Sequence, residues 1–343
     1  MVKHCIVFFI FLYINTTIGQ SVTKTVIAKP GDGIYSLLRD NDIALSYLDE
    51  FIKLNKTKLT SDNKLILGKT YALPIIKKDS VTNLKTIKLD SISIKPEVKR
   101  EISLFGKDYS TVVIENDTLK NAVYYLISGH GGPDPGAITT YKSKLISEDE
   151  YAYDVTLRLA RKLISRGAKV YIIIQDKNDG IRDQRILEVD YDEVSYPNNK
   201  IPRSQKLRLQ QRTNAVNNLY LKHKGAYQRL IVTHVDSRSI SKNIDVFFYH
   251  HKNSENGKRL AEHIHTSFTE KYAKHQPNRV YSGTVSSRSG LYLIKNTLPA
   301  MVYIELGNIK NKKDQKRILN YENREALANW IYNGLLIDYQ DHN

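Results

Sequence analysis

The chain has 343 residues, 41% hydrophobic and 26% charged, with a formal net charge of +16 at pH 7 and a sequence pI near 9.5. That length leaves room for more than one domain, and that balance fits an ordinary globular protein and excludes a disordered polyelectrolyte. The surplus of Lys and Arg suits attraction to a polyanion but reads first as a solvated Lys-rich surface, and no helix-turn-helix, zinc-finger or RNA-stacking signature accompanies it, so nucleic acid is not expected.

At the start of the chain, Lys3 and His4 precede the apolar run Cys5–Tyr13, and Thr16-Thr17-Ile18-Gly19 follows. The pattern predicts a signal peptide over 1–19, too short to span a bilayer, with cleavage near Gly19 or Gln20. Cys5, the only cysteine, lies inside it. The mature chain is therefore expected to have no thiol, no disulfide and no stable membrane anchor, which suits an oxidising compartment.

Residues 22–75 read as a small unit of strand, helix, helix and strand. Thr25-Val26-Ile27-Ala28 is the first strand, and Pro30-Gly31-Asp32-Gly33 is a turn with Asp32 near a capping position. Ile34, Leu37 and Leu38 recur at helical spacing. A second helix fits Leu45–Leu54 and stops at Asn55, and Leu67-Gly68 turns into a closing strand ending at Leu73-Pro74. Residues 76–100, rich in Lys, Ser and Thr, read as a linker.

From 101 to 340 strands and helices alternate. Thr111–Ile114 is an extra strand. The strand 123–127 is followed by a helix over about 149–165 with Tyr153, Val155, Thr156, Leu159 and Leu163 on one stripe, closed by Gly167. Further strands are expected at Lys169–Gln175, Leu230–Thr233, Val246–Tyr249 and 300–304, with helices at Leu207–Tyr220, Gly257–Lys274 and Arg324–Tyr332. The alternation predicts a three-layer α/β fold, a mostly parallel twisted sheet with helices on both faces. Residues 176–206 are polar and irregular and read as an insertion at the rim of a cleft.

The densest signal is Gly129-His130-Gly131-Gly132-Pro133-Asp134-Pro135-Gly136-Ala137, where a buried strand stops in a glycine turn that presents one histidine. An acidic cluster, Glu148-Asp149-Glu150, opens the next helix. Two more strands are predicted to end in His234 and Glu305. Two histidines and a carboxylate are a standard ligand set for catalytic zinc, with a position left for water.

These motifs resemble the zinc-dependent N-acetylmuramoyl-L-alanine amidases of the type 3 family, which cleave bacterial peptidoglycan. The resemblance rests on Gly129–Ala137, on Thr233-His234-Val235-Asp236-Ser237, and on Pro299-Ala300 with Glu305-Leu306-Gly307. It implies a zinc ion held by His130, Glu148 and His234, with Glu150 the alternative to Glu148. Placing Glu148 there puts Val155, Thr156, Leu159 and Leu163 on buried helix positions, whereas Glu150 would bury Arg158 and Arg161. Glu305 is implied as the general base and acid; Arg288, in Ser287-Arg288-Ser289-Gly290-Leu291, is a candidate substrate contact that the resemblance does not itself supply. Asp134 is expected to order its turn, Arg212 to sit in a structural ion pair and Asn311 to cap backbone.

Residues 30–37, Leu54-Asn55, Leu67-Gly68 and Leu73-Pro74 resemble a LysM module, with Gly33 where that family usually has Thr or Ser. Together these imply a secreted enzyme, of the periplasm or cell envelope of a bacterium, whose partner is peptidoglycan. The cut is expected between N-acetylmuramic acid and L-alanine. The rivals are a zinc carboxypeptidase-like peptidoglycan peptidase and a non-catalytic wall-binding protein.

Overall fold

The computed structural model describes residues 24–29, 34–39, 41, 43, 47–60, 63–74, 98–237, 240 and 243–342. The signal-peptide reading, the turn at 30–33 and most of the linker reading lie outside them. The chain divides into two compact units, one ending at 92 and the other beginning at 93.

In the first unit, strands Thr25–Ile27 and Thr70–Ala72 pair antiparallel, with Val26 opposite Tyr71, and two helices, Ile34–Arg39 and Leu48–Leu54, lie between them in sequence. This is the element order expected from the sequence. Leu38, Phe51, Tyr71 and Leu73 make a core of their own. Asn55 does more than end the second helix. Its side chain donates to the Ala72 carbonyl and accepts from the Ala72 N–H, both at 2.8 Å, so helix end and strand are locked together.

The second unit is built on a six-stranded sheet. Numbered in chain order, its strands are β1 (Ala122–Ser128), β2 (Lys169–Ile172), β3 (Tyr227–Asp236), β4 (Phe247–His250), β5 (Thr284–Ser287) and β6 (Ala300–Asn308). Their spatial order is β5-β4-β6-β3-β1-β2, and only the β4–β6 pairing is antiparallel. All seven residues of β1 are buried, as a central parallel strand covered on both faces requires.

The helices are α1 (Glu148–Ser165), α2 (Gln205–Lys222), α3 (Glu255–His275), α4 (Tyr292–Asn296), α5 (Lys312–Leu319) and α6 (Tyr321–Gln340). Alternate strand residues go to opposite faces. Tyr124, Leu126, Ile231, Val302 and Ile304 pack in one cluster with α1, α3 and α6. Val123, Tyr125, Ile127, Leu230 and Val232 pack in the other with α2 and α4. The expected three-layer, mostly parallel α/β class is the one observed. No helix among the described residues is long and apolar enough to cross a membrane.

Several boundaries differ from the sequence reading. Thr111–Val113 forms a ribbon with Lys99–Glu101, which straddles the end of the predicted linker, and does not join the main sheet. A hairpin, Ile138–Tyr141 with Lys144–Ser147, was not expected. The segment 176–206 is not only a polar rim: Ile181, Leu187 and Ile201 are buried, and Val194–Ser195 pairs with both Ile174–Gln175 and Asn199–Lys200.

Candidate metal centre

The site forms where β1 and β3 hand the chain over to loops and α1 begins. β1 closes with Gly129 N–H bonded to the Thr233 carbonyl at 2.7 Å. A Cβ on Gly129 would stand 2.3 Å from the His234 ring, so only glycine fits. His130 follows with φ 63°, a left-handed conformation that turns its side chain out of the strand direction. Arg212, 4% exposed, donates to the His130 carbonyl at 2.5 Å and holds that turn.

Three side chains meet there. His130 Nε2 lies 3.3 Å from Glu148 Oε2, and His234 Nδ1 lies 2.7 Å from Glu148 Oε1. The two imidazoles are 5.0 Å apart, edge to face. Glu148 is fixed by backbone, accepting from Ala137 N–H and Val235 N–H at 3.0 Å each. Asp134 accepts from His130 Nδ1 at 3.0 Å and from Arg208 at 2.5 Å, and it also takes the Gly136 N–H, so it orders the turn and orients the ring together. His234 stacks on Tyr303, centroids 4.5 Å apart and planes 13° apart.

The electrostatics follow from these contacts. Burial works against a charged His130, but the Asp134 and Glu148 carboxylates beside it push its imidazole up to about 10. Burial likewise opposes ionised Glu148, yet the two imidazoles hold it well below the usual carboxylate range. Burial pushes His234 down, toward the neutral form a metal needs. Burial, with Arg208 nearby, lowers Arg212 to about 10.

The residues present fit a zinc ion. One donor atom from each of His130, Glu148 and His234 lies within 4.8 Å of the other two. The donor types are those of a catalytic zinc site. Gly136, at φ 69°, keeps the approach open, since a Cβ there would meet the His130 ring at 2.7 Å and Glu148 Oε2 at 2.8 Å.

The remaining predicted residues are placed as follows. Glu305 is buried and is the register partner of His234 across β3 and β6. Neither residue ends its strand, because β3 continues to Asp236 and β6 to Asn308. Glu150 is not with the imidazoles; Arg182 binds it at 2.7 Å and Asp190 N–H at 3.2 Å. Arg288 is exposed and lies over the Tyr249 ring at 4.9 Å, outside the cavity beside the histidines. That cavity, about 180 Å³, is lined by His130, Asp134, Arg208, Arg212, His234 and Tyr303 among others. Arg212 bonds a backbone carbonyl there rather than forming the expected ion pair. Asn311 caps α5, accepting from Lys313 and Asp314 N–H.

Sequence reasoning missed Arg208 and Tyr303. Tyr303 carried a readable signal: it lies two residues before Glu305 and so on the same face of β6. Arg208 carried none, because its partner Asp134 is distant in sequence.

Comparison with known proteins adds a family. A model described as N-acetylmuramoyl-L-alanine amidase matches residues 125–336. No curated protein matches the chain. Among solved structures, it is similar to the CwlD amidase of Clostridioides difficile, solved in complex with the GerS lipoprotein, at 21% identity and TM-score 0.48, over 64% of this chain and 98% of that one. It is also similar to the catalytic domain of CwlV from Bacillus (Paenibacillus) polymyxa var. colistinus, at 18% identity and TM-score 0.46 over 64% and 98%. A third is AmiC2 of Nostoc punctiforme, at 17% identity and TM-score 0.45 over 65% and 99%.

Proposed function

The chain belongs to the N-acetylmuramoyl-L-alanine amidase family, and from that premise we propose that His130, Glu148 and His234 hold a zinc ion and that Glu305 moves the proton in hydrolysis. The protein is a peptidoglycan hydrolase, cutting the amide between N-acetylmuramic acid and L-alanine. The observation that carries the zinc reading is the convergence of two imidazoles and one carboxylate, from three separate segments, within 4.8 Å.

Bound there, zinc supplies Lewis acidity, lowering the pKa of a water and polarising the scissile carbonyl. The chain's own residues do the rest. Asp134 holds His130 through Nδ1 and leaves Nε2 facing Glu148. The Tyr303 ring fixes the plane of His234. Glu305, aligned with His234 in the sheet, takes the proton of the attacking water and returns one to the departing amine. An amide nitrogen leaves poorly unless protonated, so one group with both duties suffices. Arg288, exposed just after β5, is kept as a substrate contact beyond the cavity.

The N-terminal unit is read as a LysM-like peptidoglycan-binding module and residues 1–19 as a leader that sends the enzyme to the periplasm or cell envelope. The partner is then peptidoglycan itself, both glycan strands and stem peptides.

Mass spectrometry of digested sacculi tests the reaction. Intact stem peptides freed from glycan are expected; peptides shortened at internal bonds would favour the carboxypeptidase-like rival. Elemental analysis tests the ligands. His130→Ala is expected to lose its zinc, and unchanged zinc content would remove His130 from the set.

A further inference from the structure

A second cluster of ligand-type side chains adjoins the first along the start of α1. Asp149 and Glu150, in the first turn of α1, and Glu193, from the 176–206 segment, each bring one carboxylate oxygen within 4.8 Å of the others. All three are buried, at 1%, 1% and 6% exposure. Asp149 Oδ1 is used locally, accepting from Ser147 Oγ at 2.6 Å and Glu150 N–H at 2.9 Å. Its other oxygen, Oδ2, is buried and has no hydrogen-bond partner. An ionised carboxylate oxygen in that position is costly unless something positive meets it.

The charge balance is one-sided. A further acidic trio, Asp176, Asp179 and Asp190, adjoins the cluster, with Asp190 N–H donating to Glu150 Oε1. Among the described residues the cation that ion-pairs with any member of the two trios is Arg182, shared between Glu150 and Asp179. The start of α1 adds only about half a positive charge.

We propose that Asp149, Glu150 and Glu193 form a second cation site, distinct from the His130–Glu148–His234 centre, that takes a hard divalent ion of the calcium type. The donors are all oxygen, which suits calcium or magnesium and not zinc. Calcium is the better match because it accepts irregular carboxylate sets, whereas magnesium demands an octahedron and retains waters that a buried site has little room for.

Such an ion ties three things together. Glu193 Oε2 accepts the Gly132 N–H at 2.6 Å, in the loop that carries His130. Glu150 lies two residues beyond Glu148. Glu193 belongs to the 176–206 segment, whose Ile201 packs on Gly132. The ion would therefore fasten that segment to the first turn of α1 and to the histidine loop.

The test uses the full chain, zinc-loaded and freed of calcium. Equilibrium dialysis against calcium chloride, read by elemental analysis, is expected to add one calcium per chain without displacing zinc, and to raise the thermal midpoint. Asp149→Asn and Glu193→Gln are each expected to lose that equivalent while keeping zinc and a native circular dichroism spectrum. No calcium taken up by the wild-type chain at millimolar concentration overturns the proposal, and so does a calcium equivalent that persists in both variants. A wild-type chain that ignores calcium but gains thermal stability on acidification would assign the cluster to shared protons instead, which also overturns it. Zinc is counted separately, so failure here leaves the zinc reading untouched.

Discussion

Glu305 and His234 are aligned across a parallel strand pair, which fixes them side by side, and just beyond them the Ile309 N–H donates to the Asp236 carbonyl at 2.9 Å. That is a rigid way to hold the proposed base next to a proposed zinc ligand, and it makes a clean prediction. Glu305→Gln preserves size and hydrogen bonding but cannot accept a proton. Zinc content and thermal midpoint are expected to stay as they are, while stem-peptide release falls by about 10²- to 10⁴-fold. Full turnover in that variant would take Glu305 out of the proton path. Gly136 gives the opposite kind of test. It combines φ 69° with a space that a methyl group would fill against His130 and Glu148. Gly136→Ala is expected to fold with weaker zinc retention on dialysis, and a variant that keeps its zinc as tightly as the parent would show that the turn can relax. At this scale the sequence was informative where residue type and spacing coincide. His130, in its glycine turn, was legible from its neighbours. Glu148 was legible only by a partly mistaken route. The case against Glu150 was that it would bury Arg158, yet Arg158 is buried anyway, at 4% exposure. Asp154 at 2.8 Å and Asp183 at 2.8 Å make that burial tolerable. What separates the two glutamates is Arg182, which binds Glu150 from a segment no local pattern connects to it.

Among elements, α1 is the one through which the site is held to the rest of the unit. Its first turn carries Glu148, and two turns later Asp154, fully buried, accepts from Arg158 at 2.8 Å and from Arg324 of α6 at 2.6 Å. Arg324 also reaches the carbonyls of Arg182 and Gln184, so α1, α6 and the 176–206 segment share one network. Removing this buried carboxylate leaves two buried guanidinium groups, Arg158 and Arg324, short of charge. Asp154→Ala is therefore expected to cost about 3–5 kcal/mol of unfolding free energy, read from urea denaturation. A loss within the range of a surface substitution, about 0.5 kcal/mol, would mean that solvent or Asp183 takes over. Elements with strong periodicity were legible: α1, α2, α3 and the buried strands all stand where the pattern put them, with ends shifted by a few residues. The hairpin 138–147 was not, for a specific reason. Its two-residue turn needs positive φ at both central positions, normally supplied by Asn or Gly, and here Lys142 at 48° and Ser143 at 63° adopt it.

At the scale of the whole molecule, the two units have separate cores. Leu38, Phe51, Tyr71 and Leu73 belong to one, and the sheet with its helices belongs to the other. The zinc ligands proposed here, and Glu305, all fall in the second. If the first unit serves as a wall-binding module, its contribution is to local concentration rather than to chemistry. That separates two measurements that would otherwise rise and fall together. A chain beginning at residue 93 is expected to fold, to bind zinc and to cleave a soluble muropeptide at the rate of the full chain. On intact sacculi, where substrate is immobilised and tethering counts, its rate is expected to drop, with a matching loss of protein that sediments with the sacculi. The net charge of +16 supplies a control, because non-specific attraction to an anionic wall weakens with salt, whereas capture by a glycan-binding fold persists. If the shortened chain sediments with sacculi as well as the full one does at both low and high salt, the first unit is not what holds the enzyme to the wall, and the second unit must grip glycan by itself.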